Sequence, residues 1–506
     1  MKGKITTTRV TAPARASAKP ARPKVAGFDP DFGTATQALA ALRRGGISSR
    51  ELTQHVLTRI GKLNPALAAF VTVADEQAMA RARQADAALA RKKPLGPLHG
   101  LPVVAKDSWA TAGLRTTGGS KTLERHVPKA SAVVVERLEA AGAVIVGKTN
   151  LPEWAADWQS HSDVAGTARN PWDRGRTPGG STGGGAAAVA AGLGFLEIGS
   201  DIAGSIRIPA HFCGVFGHKS TWGVVPMRGH IPPPPGMQGT GSELSVAGPL
   251  ARSAEDLLLG LGVVAGPDRD EAVAYRWTLP RPRQARLRDY RLRYVLDDPF
   301  CPVDASAKAV LADAVAALRK AGARLTEGWP EGVDPERQSL VYRWLLNAFF
   351  SQTLTKEQWD ETLAARARGA DDPWTRGAAS YHREWLPWAG ARLAAREAWQ
   401  AYFRTHDAFL MPVAFVPAFP HDLSQPMVER RLTAGGSPRP YTDMNRWIAF
   451  ATLTGCPATS APVGRTREGL PVGLQIMGPY AEDATPIDIA GKVAEVVGGF
   501  ERPPGA

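Results

Sequence analysis

Residues Thr177 to Thr221 read TPGGSTGGGAAAVAAGLGFLEIGSDIAGSIRIPAHFCGVFGHKST: two glycine-rich turns, each holding a serine, on either side of an alanine-rich apolar segment. Gly179, Gly180, Gly183, Gly184 and Gly185 permit positive φ and close approach of the backbone to another group, which suits a site. Ala186 to Leu193 are helix formers, so the first turn is expected to feed a helix whose N-terminal amides face the loop and favour an anion. A phosphate loop fits poorly, because no Lys-Ser or Lys-Thr pair follows the glycines and the G-x-G-x-x-G spacing fails at Ala188. The second turn, DIAGSIRIPA from Asp201, places Ser205 behind small residues. The amides of Ile202, Ala203, Gly204 and Ser205 are expected to converge there on one developing oxyanion.

A serine attacks only after a base has taken its proton. His211 and His218 are the nearest histidines in sequence and either could pair with Ser205, although neither has an evident orienting carboxylate. Upstream, the apolar strand-like run Leu101 to Ala105 ends in Lys106 and Asp107. A lysine at the end of a buried strand loses its proton through desolvation and then serves as a base, provided that the Asp107 carboxylate points away.

With these residues in view the chain resembles the amidase signature family, serine hydrolases that use a Ser-Ser-Lys triad. The resemblance rests on Lys106-Asp107, GKTNLPEWA from Gly147, NPWDRGRTPGGSTGGG from Asn170, DIAGSIRIPAHFCGVFGHKST from Asp201, GPLARSAEDL from Gly248 and GLPVGLQIMGP from Gly469. It runs in order over roughly residues 35 to 495. It implies Ser205 as nucleophile, Ser181 as a bridging serine on a cis peptide after Gly180, and Lys106 as terminal base. It further implies oxyanion or substrate contacts at Ile202, Ala203, Gly204 and Ala155. The chain departs from the family pattern at Ala203 for a glycine, at Thr182 for a second serine and at Ser220 for a proline. An oxyanion hole uses backbone N–H, which alanine retains, and Thr182 keeps a hydroxyl.

The implied activity is hydrolysis of a carboxylic amide through an acyl-Ser205 intermediate, with esters and carbamates within reach because they share the attacked carbonyl. No metal or organic cofactor is needed, and the expected partner is a small-molecule amide, with a homodimer left open. Two alternatives stay open: the amidase subunit of a glutamine-dependent amidotransferase, and a non-catalytic binding protein on the same fold.

Composition bounds the rest. A chain of 506 residues with 44% apolar content builds a large core. The net charge of +13 is concentrated in seven basic residues between Lys2 and Lys24 and six arginines between Arg281 and Arg293. The first cluster has no aromatic residue and the second only Tyr290, so both read as solvated charge and not as a nucleic-acid surface. Residues 1–28 are expected to form a disordered basic tail, and 29–506 one large domain. No run of ~18 apolar residues suggests a membrane span. Three widely spaced cysteines, Cys213, Cys301 and Cys456, suit reduced cytoplasm better than a disulfide or metal site.

Short apolar strands alternate with helices, which predicts an α/β fold with a mixed central sheet covered by helices on both faces. Ser48 with Glu51 makes a capping box, and further helices are expected over Asp75 to Arg91, Ser131 to Ala141, after Ser253 and after Asp304. Strands are expected at Ala143 to Val146, Phe212 to Gly217, Leu292 to Leu296, Phe409 to Val413 and Leu474 to Met477. Residues 339–405 hold six tryptophans and lie outside the resemblance. They are expected to supply core packing and part of an acyl pocket.

Overall fold

The computed structural model describes residues 28–93, 96–236 and 242–506, so the expected basic tail lies outside the described residues except for Phe28. Eleven strands form one mixed sheet: β1 (Phe70–Val73), β2 (Pro102–Lys106), β3 (Val144–Thr149), β4 (Leu196–Asp201), β5 (Phe216–Lys219), β6 (Val246–Ala251), β7 (Arg291–Tyr294), β8 (Arg324–Glu327), β9 (Ala408–Pro412), β10 (Ala458–Arg465) and β11 (Pro471–Met477). Their order across the sheet is β1-β3-β2-β4-β6-β5-β10-β11-β9-β7-β8. β3, β2 and β4 run parallel, as do β9, β7 and β8, and the strands between are antiparallel. The central strands are buried along their whole length, so apolar and polar residues do not alternate along them, and Lys106, Glu197, Ser200, Asp201 and Gln475 are buried with the rest. Helices cover the sheet, as the alternation predicts.

Most helix starts follow their caps. Ser48 and Glu51 close the capping box on the helix Ser49–Leu67, and Asp304 caps Ala305–Lys320. Three expectations are corrected. β3 does not stop at Val146 but continues through Gly147 to Thr149, because Gly147 lets β1 press close: a Cβ there would lie 2.6 Å from the Thr72 carbonyl oxygen. Phe212 and Cys213 are helical, not extended. The helix Arg207–Cys213 tolerates Pro209 in its first turn and ends at Gly214 with φ +68, and only then does β5 begin. The helix after the first glycine turn starts at Gly183, so the glycines themselves form its first turn.

Candidate active site

β2 and β4 pair in parallel with Val104 opposite Glu197 and Ala105 opposite Ile198, which brings Lys106 at the end of β2 beside Ser200. Lys106 is wholly buried, and its Nζ lies 2.7 Å from Ser181 Oγ and 3.0 Å from Ser200 Oγ. Burial pulls its pKa down to about 7, against the carboxylates of Glu197 and Asp201. Asp107 points away, as anticipated: its Oδ2 accepts from the Thr117 N–H at 2.9 Å and the Thr117 hydroxyl at 2.5 Å. Glu197, for which no local sequence feature speaks, faces Lys106 instead, and burial raises its own pKa to about 8. A protonated Glu197 and a neutral Lys106 support one another, because neither then stabilises the other's charge.

Low pKa alone does not single out the base. Lys148 and Lys219 are equally buried, and burial lowers them to about 8 and about 7. Lys219 donates to the carbonyls of Ser220 and Cys456 at 3.0 and 2.8 Å, and Lys148 to the Trp109 carbonyl and the hydroxyls of Thr111 and Thr116. Of these three lysines, only Lys106 touches a serine of the glycine turns.

Ser181 follows a cis peptide from Gly180, as the resemblance implies. A Cβ on Gly180 would overlap the Asp157 carbonyl and lie 2.7 Å from the Trp158 carbonyl carbon, so only glycine lets the segment 157–159 back the turn. The Thr182 N–H donates to the Ser205 carbonyl at 3.2 Å and ties the two turns together. The N-terminal amides of the helix from Gly183 are not an anion site. Gly183 N–H donates to Ser160 Oγ at 3.0 Å and Gly184 N–H to the Asn150 carbonyl at 3.1 Å.

The second turn differs from expectation at one donor. Gly204, with φ +86, spends its N–H on Asp201 Oδ1 at 2.9 Å, so it does not point at an oxyanion. Asp201 also accepts from Ile206 N–H and is forked by Arg207 at 3.0 and 2.8 Å. Burial opposes its ionisation, but the Arg207 charge prevails and its pKa falls. This buried pair sets the shape of the turn. Among the described residues the N–H groups of Ile202, Ala203 and Ser205 donate to no protein acceptor. The carbonyls behind them are clamped: Ile202 O accepts from Tyr342 Oη at 2.9 Å, and Ala203 O from Trp158 Nε1 at 2.7 Å. Across Thr177 to Thr221 every residue is buried except Ile202 and Ala203, so the segment opens to solvent only at these two residues.

Ala155 stands in left-handed backbone, φ 58, directly after Trp154 at φ 52. Its N–H goes to the Pro152 carbonyl at 2.9 Å, which removes it as a donor and leaves its methyl and carbonyl. Neither histidine rival reaches Ser205. His211 lies between the Gly473 N–H and the Val416 carbonyl, and burial lowers its pKa to about 4. His218 does have a carboxylate, Asp483 at 3.1 Å, yet its other nitrogen is taken by Thr459 at 2.9 Å. The histidine that does approach the site is His230, 2.9 Å from Ser200 Oγ. Nothing in its surrounding sequence, RGHIPPPPG, signals that role. All three cysteines are buried and unpaired. Among the described residues no helix is long and apolar enough to cross a membrane, and no group of acidic, histidine and cysteine side chains is arranged to hold a metal.

The glycine turns, the buried lysine on a serine and the eleven-stranded sheet define a class: this chain belongs to the amidase signature family, whose profile matches residues 51–486. Members act on carbon–nitrogen bonds, and so does this enzyme. Among curated proteins it is 33% identical over 467 residues to a glutamyl-tRNA(Gln) amidotransferase subunit of Thermosynechococcus vestitus, covering 88% of this chain and 93% of that one. The same-named protein of Halorhodospira halophila is 34% identical over 500 residues, covering 93% and 98%. Among solved structures, the corresponding glutamyl-tRNA(Gln) amidotransferase chain from Thermotoga maritima superposes with a TM-score of 0.75 at 26% identity, covering 94% and 98%. A chain from a vestigial complex related to an s-triazine catabolic enzyme reaches 0.76 at 27%, covering 93% and 99%.

Proposed function

We propose that the chain is an amidase that hydrolyses a carboxylic amide through an acyl-Ser205 intermediate, with Lys106 and Ser181 as its proton relay. The observation that carries this reading is the 2.7 Å contact between a desolvated Lys106 and Ser181 beside the turn that holds Ser205. Neutral Lys106 takes the Ser181 proton as Ser181 takes that of Ser205, and Ser205 Oγ adds to the amide carbonyl. The negative charge that gathers on the carbonyl oxygen is met from among the free amides of Ile202, Ala203 and Ser205. The relay then runs in reverse and protonates the departing nitrogen, so an amine leaves and the acyl group stays on Ser205. Water, activated along the same path, releases the acid. Ser205→Ala is expected to abolish amide turnover and labelling by a fluorophosphonate while the fold persists. Full labelling of that variant would overturn the assignment of the nucleophile.

A second reading has specific support in the 33–34% identity to amidotransferase subunits over nearly the whole chain. On that reading the enzyme draws ammonia from glutamine and works with protein partners. Turnover of simple aryl amides by the purified chain supports the free amidase, whereas glutaminase activity that appears only with added partner subunits supports the other.

A further inference from the structure

Lys106 has two hydroxyl neighbours, and the mechanism uses only Ser181. The other, Ser200, lies near the end of β4 and has a partner of its own. His230 Nε2 lies 2.9 Å from Ser200 Oγ, and its Nδ1 lies 3.1 Å from the Pro232 carbonyl. A carbonyl can only accept, so Nδ1 carries the proton and a neutral His230 presents Nε2 as an acceptor. Ser200 must then donate its single hydroxyl proton to His230, and its oxygen can only accept from Lys106 Nζ at 3.0 Å. A neutral amine has two N–H bonds and one lone pair. With one N–H held by Ser200, the second N–H and the lone pair remain, and the lone pair is free to meet the Ser181 hydroxyl at 2.7 Å.

His230 itself is fixed. Its ring meets Trp109 edge-on at 4.6 Å between centroids, and the flanking backbone is pinned to the loop after Lys106 by Ala110 N–H to Gly229 O at 3.0 Å and Ile231 N–H to Ser108 O at 2.7 Å. Trp109 in turn donates through Nε1 to the Ile198 carbonyl of β4 at 2.9 Å. Burial holds the His230 pKa down to about 3, and a protonated Lys106 would only lower it further, so the ring stays an acceptor at neutral pH.

We infer that His230 is a positioning residue which, by accepting the Ser200 hydroxyl proton, orients Ser200 so that the lone pair of Lys106 faces Ser181. The inference rests on the proposed Lys106–Ser181 relay. Without His230, the Ser200 hydroxyl is free to turn and donate to Lys106, in competition with Ser181 for the one lone pair.

The test is a double-mutant cycle in kcat and KM for an amide with His230→Phe, Ser200→Ala and the pair, beside Ser200→Thr and wild type. His230→Phe is expected to lower kcat about 10-fold, the size of one well-made hydrogen bond, with KM within about 2-fold. Added to Ser200→Ala, it should cost nothing further, and Ser200→Thr, which keeps the hydroxyl, should retain most of the rate. Additive losses, or a rate loss only in step with a lower melting temperature, would overturn the inference, since both describe a residue that merely packs on Trp109. A second arm does not depend on turnover: in protein labelled with 15N-histidine, His230 Nε2 should resonate as an unprotonated nitrogen and shift in Ser200→Ala. A proton found on Nε2 overturns the inference even if the amidase reading stands. Conversely, an unprotonated Nε2 coupled to Ser200 in a chain whose turnover survives Ser205→Ala would leave the orientation intact and refute the relay it serves.

Discussion

The segment Thr177 to Thr221 and the helical block Pro335 to Phe403 are built on opposite terms. The first is small, polar and sealed. Its glycines, serines and ion pair are buried and hydrogen-bonded, and only Ile202 and Ala203 reach the surface. The second is large, aromatic and half open. Trp344 and Trp399 are buried, but Trp385 and Trp388 are half-buried, and Trp374, Tyr381, Leu386 and Leu393 are exposed. A buried polar cluster tolerates little change, because each unsatisfied group costs the full desolvation penalty. An aromatic surface can vary its shape at modest cost. On the proposed reading the first region holds the chemistry, and the second is proposed as the part free to set which acyl group fits. Tyr342 joins them, since it lies in the helix Pro335–Phe350 and its hydroxyl holds the Ile202 carbonyl.

The largest expected effect lies in the sealed region. Lys106→Ala should lower amide turnover by about 10²–10⁴-fold, the usual worth of a positioned base, and ester turnover by less, since an alkoxide needs the returned proton less than an amine does. Equal losses on matched amide and ester substrates would mean that Lys106 is not the group that returns the proton. In the aromatic block, Trp399→Ala should cost about 3–5 kcal/mol of stability, because this indole is fully enclosed by Phe403, Phe409 and Phe450. Denaturant unfolding checks it, and relative rates across acyl groups should stay put; if they change, the two regions are not separable. Tyr342→Phe should slow kcat about 3- to 10-fold with little change in melting temperature, the loss of one hydrogen bond to the oxyanion loop. A drop in stability without a rate effect would make it a packing residue. The smallest effect belongs to Trp388, which stacks on Trp344 at 5.0 Å with Arg337 over its face. Trp388→Ala should shift the ratio of rates for bulky and small acyl groups several-fold while losing about 0.5–1.5 kcal/mol of stacking. Equal slowing of all substrates would assign it to the core.

What the residues disclose in advance follows the same division. Ser205 stands out through its local glycine spacing, whereas Ser181 and Lys106 are joined only by the family resemblance, and the structure brings that pair to 2.7 Å. The amides of Ile202 to Ser205 are legible as a group, but the loss of Gly204 to Asp201 is not, because it depends on how the turn folds back on its own first residue. Glu197 and Ser200 sit on β4, which is not among the expected strands, and their meeting with Lys106 is set by the register of β2 and β4. His230 and Tyr342 reach the site from 30 and 140 residues away from their partners, so no local pattern marks them. Phe212 and Cys213 read as the start of a strand for a related reason. Every residue of the helix Arg207–Cys213 is buried, which erases the period that distinguishes helix from strand.

The account stands or falls on a neutral Lys106 in the resting enzyme, and the pH dependence of kcat/KM for an amide between about pH 5 and 9 reads it most directly. Only the unprotonated amine can take the Ser181 proton, so the rate should rise with pH through about 7, with a midpoint that belongs jointly to Lys106 and its buried neighbour Glu197. The limb should vanish in Lys106→Ala. A limb that survives in that variant, or that moves when His211 or His218 is replaced, would contradict the relay and return the base to a histidine.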